Sequence, residues 1–292
     1  MARKDVFDAD KERVLRFAQQ KAERSMNLDS ADALASINYI YLNPAQLTVY
    51  NFRARTTTVE AGRGTGKTDG LISPHMVGCV QSMPRGSGLF LGVSIKQLFT
   101  KTVPNTLAAI ERNTGLKEGV HFVRGHAPKK LQFKEPLVRP RVWENCIHFW
   151  NGHVYYMIST STKAASNGMN VCEIDGDEAR FMPESIIKSE ILPTLRGINT
   201  THPGFDENNN PYYKSLFLVS DSPFTRRQSW MRKRKDEQTY EVNCQIAEMI
   251  HDAQVCPEIV ELPEYQQALN RLRFRVKRAK GSMCFARPCA RL

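Results

Sequence analysis

The residues best suited to chemistry form one run, Ala61-Gly62-Arg63-Gly64-Thr65-Gly66-Lys67-Thr68. Its glycines let the backbone turn tightly and aim its N–H groups inward. A helix starting just after such a turn adds its own unpaired amides, and the two together make a cradle for phosphate oxygens. In that reading Lys67 reaches the β- and γ-phosphates of a nucleoside triphosphate, and the Thr68 hydroxyl serves a magnesium ion. The spacing is A-x-x-x-x-G-K-T, so Ala61 stands where a glycine is usual.

A second run, Val171-Cys172-Glu173-Ile174-Asp175-Gly176-Asp177-Glu178-Ala179-Arg180-Phe181, is an apolar-leaning strand that ends in two adjacent acids. Phosphate hydrolysis on a metal needs one carboxylate for the ion's shell and another to orient the attacking water. Asp177 suits the first role and Glu178 the second, with Asp175 a competing metal-side carboxylate. A third run, Ser215 to Val219, is a buried strand with a polar tip, Ser220-Asp221-Ser222, before Pro223. Beside the acidic strand, that tip is placed to sense a γ-phosphate. Gln46 precedes the first strand, and its amide offers the donor and acceptor that an adenine edge needs.

These tips need a scaffold of short buried strands alternating with helices, which is the pattern of a mostly parallel sheet flanked by helices. Thr56 to Val59 are β-branched and suit a buried strand. Leu71 to Val80 is expected to be the helix covering it, with Pro74 kinking it or ending its first turn. Leu89 to Val93 reads as a second core strand, and Leu107 to Arg112 as a helix ended by Asn113-Thr114-Gly115. Ile147 to Met157 reads as a hairpin, with Asn151-Gly152 supplying both positive-φ positions of a type I′ turn. Ser185 to Leu195 is a short helix interrupted near Pro193. Earlier helices are expected over 8–24 and 30–40, and later ones over Tyr240–Ile250 and Tyr265–Leu272. Residues 126–142 read as an exposed basic loop, and Ser282 to Leu292 show no period.

The chain has 292 residues with 41 Lys and Arg against 30 Asp and Glu, a net charge of +11. That excess favours a polyanionic partner, nucleic acid before membrane. Basic clusters recur at Arg226, Arg227, Arg232, Lys233, Arg234 and Lys235, and again from Arg271 to Lys280. The 7 cysteines are odd in number and lack a C-x-x-C pair, which argues against a disulfide framework or a zinc knuckle. No apolar run reaches the ~18 residues of a membrane helix. Three segments are expected: 1–45 helical, 46–225 the phosphate-binding core, and 226–292 a basic helical lid or linker.

Taken together, the arginine-bearing phosphate loop, the strand ending Asp-Glu-Ala and the Ser-rich strand tip resemble the ATPase domain of the large terminase subunit of tailed DNA phages. The resemblance spans roughly residues 40 to 225. It implies an α/β P-loop NTPase fold with a small helical C-terminal subdomain, and ATP and Mg²⁺ as cofactors. By the same resemblance Gln46, Gly62, Arg63, Gly64, Thr65, Gly66, Lys67 and Thr68 bind nucleotide, and Thr68 and Asp177 hold the metal. Glu178, Arg63 and Lys67 would be catalytic, while Ser220, Asp221 and Ser222 couple hydrolysis to movement. The implied partners are double-stranded DNA, a portal protein, a small terminase subunit and further copies of the chain in a ring. The implied setting is the host cytoplasm, docked on a procapsid. The family usually adds a nuclease domain, and no nuclease activity is expected of this chain. A helicase-like ATPase of another family, or a chain that binds nucleotide and DNA without turnover, are the alternatives.

Overall fold

Buried parallel strands read as apolar runs because both of their faces are covered; Leu89–Leu91 and Leu216–Val219 follow that rule, while the strand between them buries Glu173 and Asp175. The computed structural model describes residues 42–43, 46–47, 49–50, 54–162, 165–233, 240–268 and 280–285; the helices expected at 8–24 and 30–40 lie outside them. Strands β1 (Thr56–Ala61), β2 (Ser87–Gly92), β3 (Phe122–Arg124), β4 (Cys146–Phe149), β5 (Val154–Ser159), β6 (Glu173–Gly176), β7 (Ser215–Ser220) and β8 (Lys280–Phe285) form a single 8-stranded sheet. Its order is β3-β4-β5-β2-β6-β7-β1-β8. All pairings are parallel except β3 with β4 and β4 with β5. The sheet is therefore the mostly parallel one the sequence predicts.

Two layers cover it. On one face α1 (Ser73–Ser82) and α2 (Val103–Thr114) bury Met76, Cys79, Val80, Leu107 and Ile110 against Phe90, Met157, Phe217 and Val219. On the other, Ile187, Ile191, Met182, Trp230 and Met231 pack on Leu89, Leu91, Ile174, Leu216 and Leu218. Burying each such side chain contributes about 1.5–3 kcal/mol.

Pro74 does not end the helical run but falls in the first turn of α1. The stretch Thr68–Ile72 is wound as a π-helix, and Ser73 N–H bonds the Thr68 carbonyl before α1 begins. A proline at this place has no N–H and would clash with the carbonyl four residues back, so the wider π register absorbs it. Pro104 follows the π segment Leu98–Thr102 in the same way. Gly115, at φ 72°, caps α2 as expected of a left-handed C-terminal glycine.

Three expectations change. The Asn151-Gly152 turn is not type I′. Only Gly152 has positive φ, and the link is closed by Phe149 N–H to His153 O at 2.9 Å and Gly152 N–H to Phe149 O at 2.9 Å. Asn151 is drawn inward because its Nδ2 donates to Val80 O at 2.6 Å. The C-terminal stretch read as patternless supplies β8, which runs parallel to β1 from Thr56↔Lys280 to Ala61↔Phe285. The segment beyond 226 thus combines α3 (Tyr240–Val255) with a strand of the core sheet. Most side chains of its basic clusters lie outside the described residues.

Candidate active site

In a parallel sheet the crevice lies beyond the carboxyl ends of the strands, and the three singled-out runs all end there. β1 and β7 are paired with Glu60 opposite Ser220, and β6 and β7 with Gly176 opposite Leu218. The phosphate loop, the acid pair and the serine-flanked tip therefore leave three adjacent strands at one level.

The loop turns as its glycines dictate: Gly64 has φ 72° and Gly66 φ 71°, a region L side chains rarely enter. Thr65 Oγ1 donates to Gly62 O at 2.8 Å and Lys67 Nζ to the same carbonyl at 2.9 Å, closing the loop on itself. Thr68 opens the helical segment behind it. Gln46 sits beneath the loop, where its Nε2 donates to Thr65 O and Gly66 O, both at 2.9 Å. Asn43 pairs with it reciprocally: Asn43 N–H donates to Gln46 Oε1 and Gln46 N–H to Asn43 Oδ1, each at 2.9 Å. Gly70 makes this possible, because a Cβ there would lie 2.3 Å from Gln46 Cδ. The Gln46 amide thus braces the loop backbone.

Asp221 is the hub of the site. Its carboxylate accepts a hydrogen bond from Lys67 Nζ and another from Arg63 Nε at 3.1 Å, and Arg180 Nη2 lies 3.4 Å away. Burial pushes the carboxyl up, but the Lys67 and Arg63 hydrogen bonds and nearby positive charges outweigh that and hold it below its ordinary range. Arg180 was not singled out by sequence. It is buried and donates from Nη1 to Ser222 O at 2.6 Å, its backbone N–H bonds Ser220 Oγ at 3.1 Å, and its Nε lies 3.8 Å from Glu178 Oε2. Phe181 and Phe224 stack over its guanidinium at 4.5 and 5.0 Å. Arg180 so joins the acid pair to the β7 tip. An arginine flanked by Ala179 and Phe181 was the only hint, and one-dimensional pattern does not say which way it faces.

The acids differ in environment. Glu178 has φ 54°, a strained conformation for a non-glycine residue, and its N–H bonds Asp177 Oδ1 at 2.9 Å. Burial, then the Glu178 charge, raises the Asp177 carboxyl to about 6. Burial and the Asp221 charge raise Glu178 as well. Asp175 is fully buried, with His75 Nδ1 2.7 Å from its Oδ1 and Tyr155 OH donating to its Oδ2 at 2.8 Å. It is engaged under α1, away from Lys67.

The residues fit a magnesium nucleotide. The Asp221 carboxylate already stands as an anion on Lys67 and Arg63, at the mouth of a loop with two positive-φ glycines, and a second carboxylate with unmet negative charge lies close by. One consequence concerns pH. A carboxyl raised in the folded state favours its protonated form, so Asp177 lends the nucleotide-free fold stability below pH ~4 that is lost as pH rises through about 6. Asp177→Asn removes that slope. The expected result is a nucleotide-free melting temperature at pH 8 equal to or above that of wild type, read by thermal scans from pH 5 to 8.

A scan of protein-family models and a search of curated proteins give no match. Among solved structures, the large terminase ATPase domain of Thermus phage P74-26 aligns with 69% of this chain and 73% of its own, at 14% identity and a TM-score of 0.45. A large terminase from a thermophilic bacteriophage, in complex with ADP, aligns with 68% of this chain at 12% identity and a TM-score of 0.45, and the match spans 43% of that protein. The Phi-28 gp11 DNA packaging motor covers 57% of this chain and 46% of its own at 17% identity, with a TM-score of 0.32.

Proposed function

We propose that the chain hydrolyses ATP to drive double-stranded DNA, as the motor domain of a large terminase. The observation that supports this best is the convergence of Lys67, Asp177 with Glu178, and Asp221 at the ends of three adjacent parallel strands. Magnesium bound with the triphosphate would supply charge neutralisation. Thr68 and Asp177 would hold that ion. Lys67 and the amides of Gly62 to Gly66 hold the phosphates, which requires Lys67 to leave Asp221. Glu178 orients water and accepts its proton. Arg63, exposed at the loop, is placed to offset charge developing on the departing γ-phosphate.

The β7 tip follows in this reading. When Lys67 and Arg63 turn to the phosphates, Asp221 keeps only Arg180, and Arg180 donates to the Ser222 carbonyl and lies 3.8 Å from Glu178. Nucleotide state is thus passed from the loop to the strand tip, and onward to the basic segment after Thr225 that would grip DNA. Partners in this reading are DNA, a portal protein, a small terminase subunit and other copies of the chain in a ring. Among the described residues no helix is long and apolar enough to cross a membrane.

The test is ATP turnover with and without double-stranded DNA. Wild type is expected to show turnover that rises on adding DNA. Lys67→Ala should weaken ATP binding at least ~10-fold, the loss of one charge-assisted contact of about 1.5–3 kcal/mol. Full ATP affinity in that variant would end the reading, as would turnover indifferent to DNA.

A further inference from the structure

A second polar cluster lies beneath the phosphate loop and has no part in the hydrolysis just described. His75 and Cys79 stand one turn apart on α1, and Asp175 reaches them from β6. His75 Nδ1 is 2.7 Å from Asp175 Oδ1 and 3.7 Å from Cys79 Sγ, and all three donor atoms lie within 4.8 Å of one another. Sulfur, imidazole nitrogen and carboxylate oxygen are the donor types of zinc, and tetrahedral zinc keeps such atoms roughly 3.3–3.6 Å apart. The Cys79–His75 separation lies about 0.1 Å outside that spacing. Asp175 would need to withdraw by about half an ångström, the difference between a direct hydrogen bond and a shared metal.

The surroundings point the same way. Glu173 is wholly buried two residues before Asp175, and its Oε2 has no hydrogen-bond partner among the described residues. Its Oε1 lies 2.6 Å from His153 Nε2, whose Nδ1 is bonded to Met83 O at 2.9 Å. Two buried carboxylates beside a thiol are a costly grouping for a dry core, and a dication reverses that cost and ionises the thiol. The ligands are also held in place. Tyr155 OH occupies the far oxygen of Asp175, leaving Oδ1 toward the histidine. Phe217 stacks on the His75 ring at 4.3 Å and 12°. A cavity lined by Gly70, Leu71, His75, Tyr212 and Phe217 gives a way in.

We propose that His75, Cys79 and Asp175 bind a zinc-class divalent cation, with a water as fourth ligand that donates a hydrogen bond to Glu173 Oε2. The ion ties the helix that starts at the phosphate loop to the strand that ends at Asp177 and Glu178. It is a structural clamp behind the site and does not depend on the hydrolysis reading.

Metal analysis of the desalted full chain should find about one zinc per chain. Cobalt(II) added to the chelator-stripped protein should give the intense near-ultraviolet absorption of a thiolate–cobalt bond. Cys79→Ser should abolish that absorption, while Cys146→Ser and Cys172→Ser leave it. Tyr155→Phe, which frees Asp175 without removing a ligand, should weaken cobalt binding about 10–100-fold. Wild-type protein that holds no zinc and gives no thiolate–cobalt absorption overturns the proposal, whatever the variants do. Absorption that survives Cys79→Ser overturns it equally.

Discussion

Replacing Glu178 by glutamine is expected to lower ATP turnover by roughly 10²–10⁴-fold, the usual weight of a positioned general base. The substitution keeps the shape and a hydrogen-bonding oxygen but removes the basic carboxylate. Its structural cost should be small, because Glu178 is only partly buried and makes no contact closer than 3.8 Å to Arg180. Nucleotide binding, read separately with a non-hydrolysable ATP analogue, should change by less than a few-fold. This split distinguishes Glu178 from Lys67, whose loss acts on binding. The same carboxylate sets a pH dependence. Burial and Asp221 raise its ionisation, and Asp177 ionises near 6. Both must be charged to act, so kcat/KM should fall as pH drops through about 6 in wild type. Turnover in Glu178→Gln equal to wild type would remove this residue from the chemistry.

The strands that present the site were readable because their physical setting leaves a mark on sequence. β1, β2 and β7 are covered on both faces, and that forces unbroken apolar or β-branched runs that end where the polar tips begin. The three tips were readable for the same reason, since a loop at the end of a buried strand is where chemistry can be exposed. What stayed hidden depends on partners distant in the chain. β8 is an edge strand built from Lys280, Gly281 and Ser282 before Met283, Cys284 and Phe285, and its pairing with β1 is decided by backbone, not by pattern. Arg180 is buried only because Asp221, Ser222 and two aromatic rings meet it there. Asp175 and Asp177 look equivalent in sequence. Tyr155 and His75 bind the first from elements about 20 and 100 residues away. The Asn151-Gly152 turn shows the same limit from the other side. Local preference favoured a two-residue turn, and one hydrogen bond from Asn151 to Val80 won.

Asp221→Asn should both destabilise the nucleotide-free protein and tighten its grip on ATP. In the free state this one carboxylate faces Lys67, Arg63 and Arg180, and both Asp221 and Arg180 are buried. Arg63 is 81% exposed, so its share is screened and small. Lys67 and Arg180 are the costly ones to orphan, and breaking such a buried pair costs about 3–5 kcal/mol. At roughly 2–4 °C per kcal/mol for a chain of this size, the nucleotide-free melting temperature should fall by about 10 °C. The effect depends on pH in a defined direction. Asp221 ionises below its ordinary range, so its contribution is present above pH ~4 and is lost as pH falls through its lowered value. Wild type and variant should therefore converge in acid. Bound nucleotide reverses the sign, because phosphate oxygens then take Lys67, and asparagine, unlike aspartate, neither competes for it nor repels them. Affinity for a non-hydrolysable ATP analogue should rise about 10-fold, the return of one charge-assisted contact of ~1.5 kcal/mol. The analogue should then stabilise the variant more than it stabilises wild type. A variant that melts with wild type, or binds the analogue more weakly, would mean that nucleotide does not displace Asp221, and the path from the phosphate loop through Arg180 to Ser222 would lose its first step.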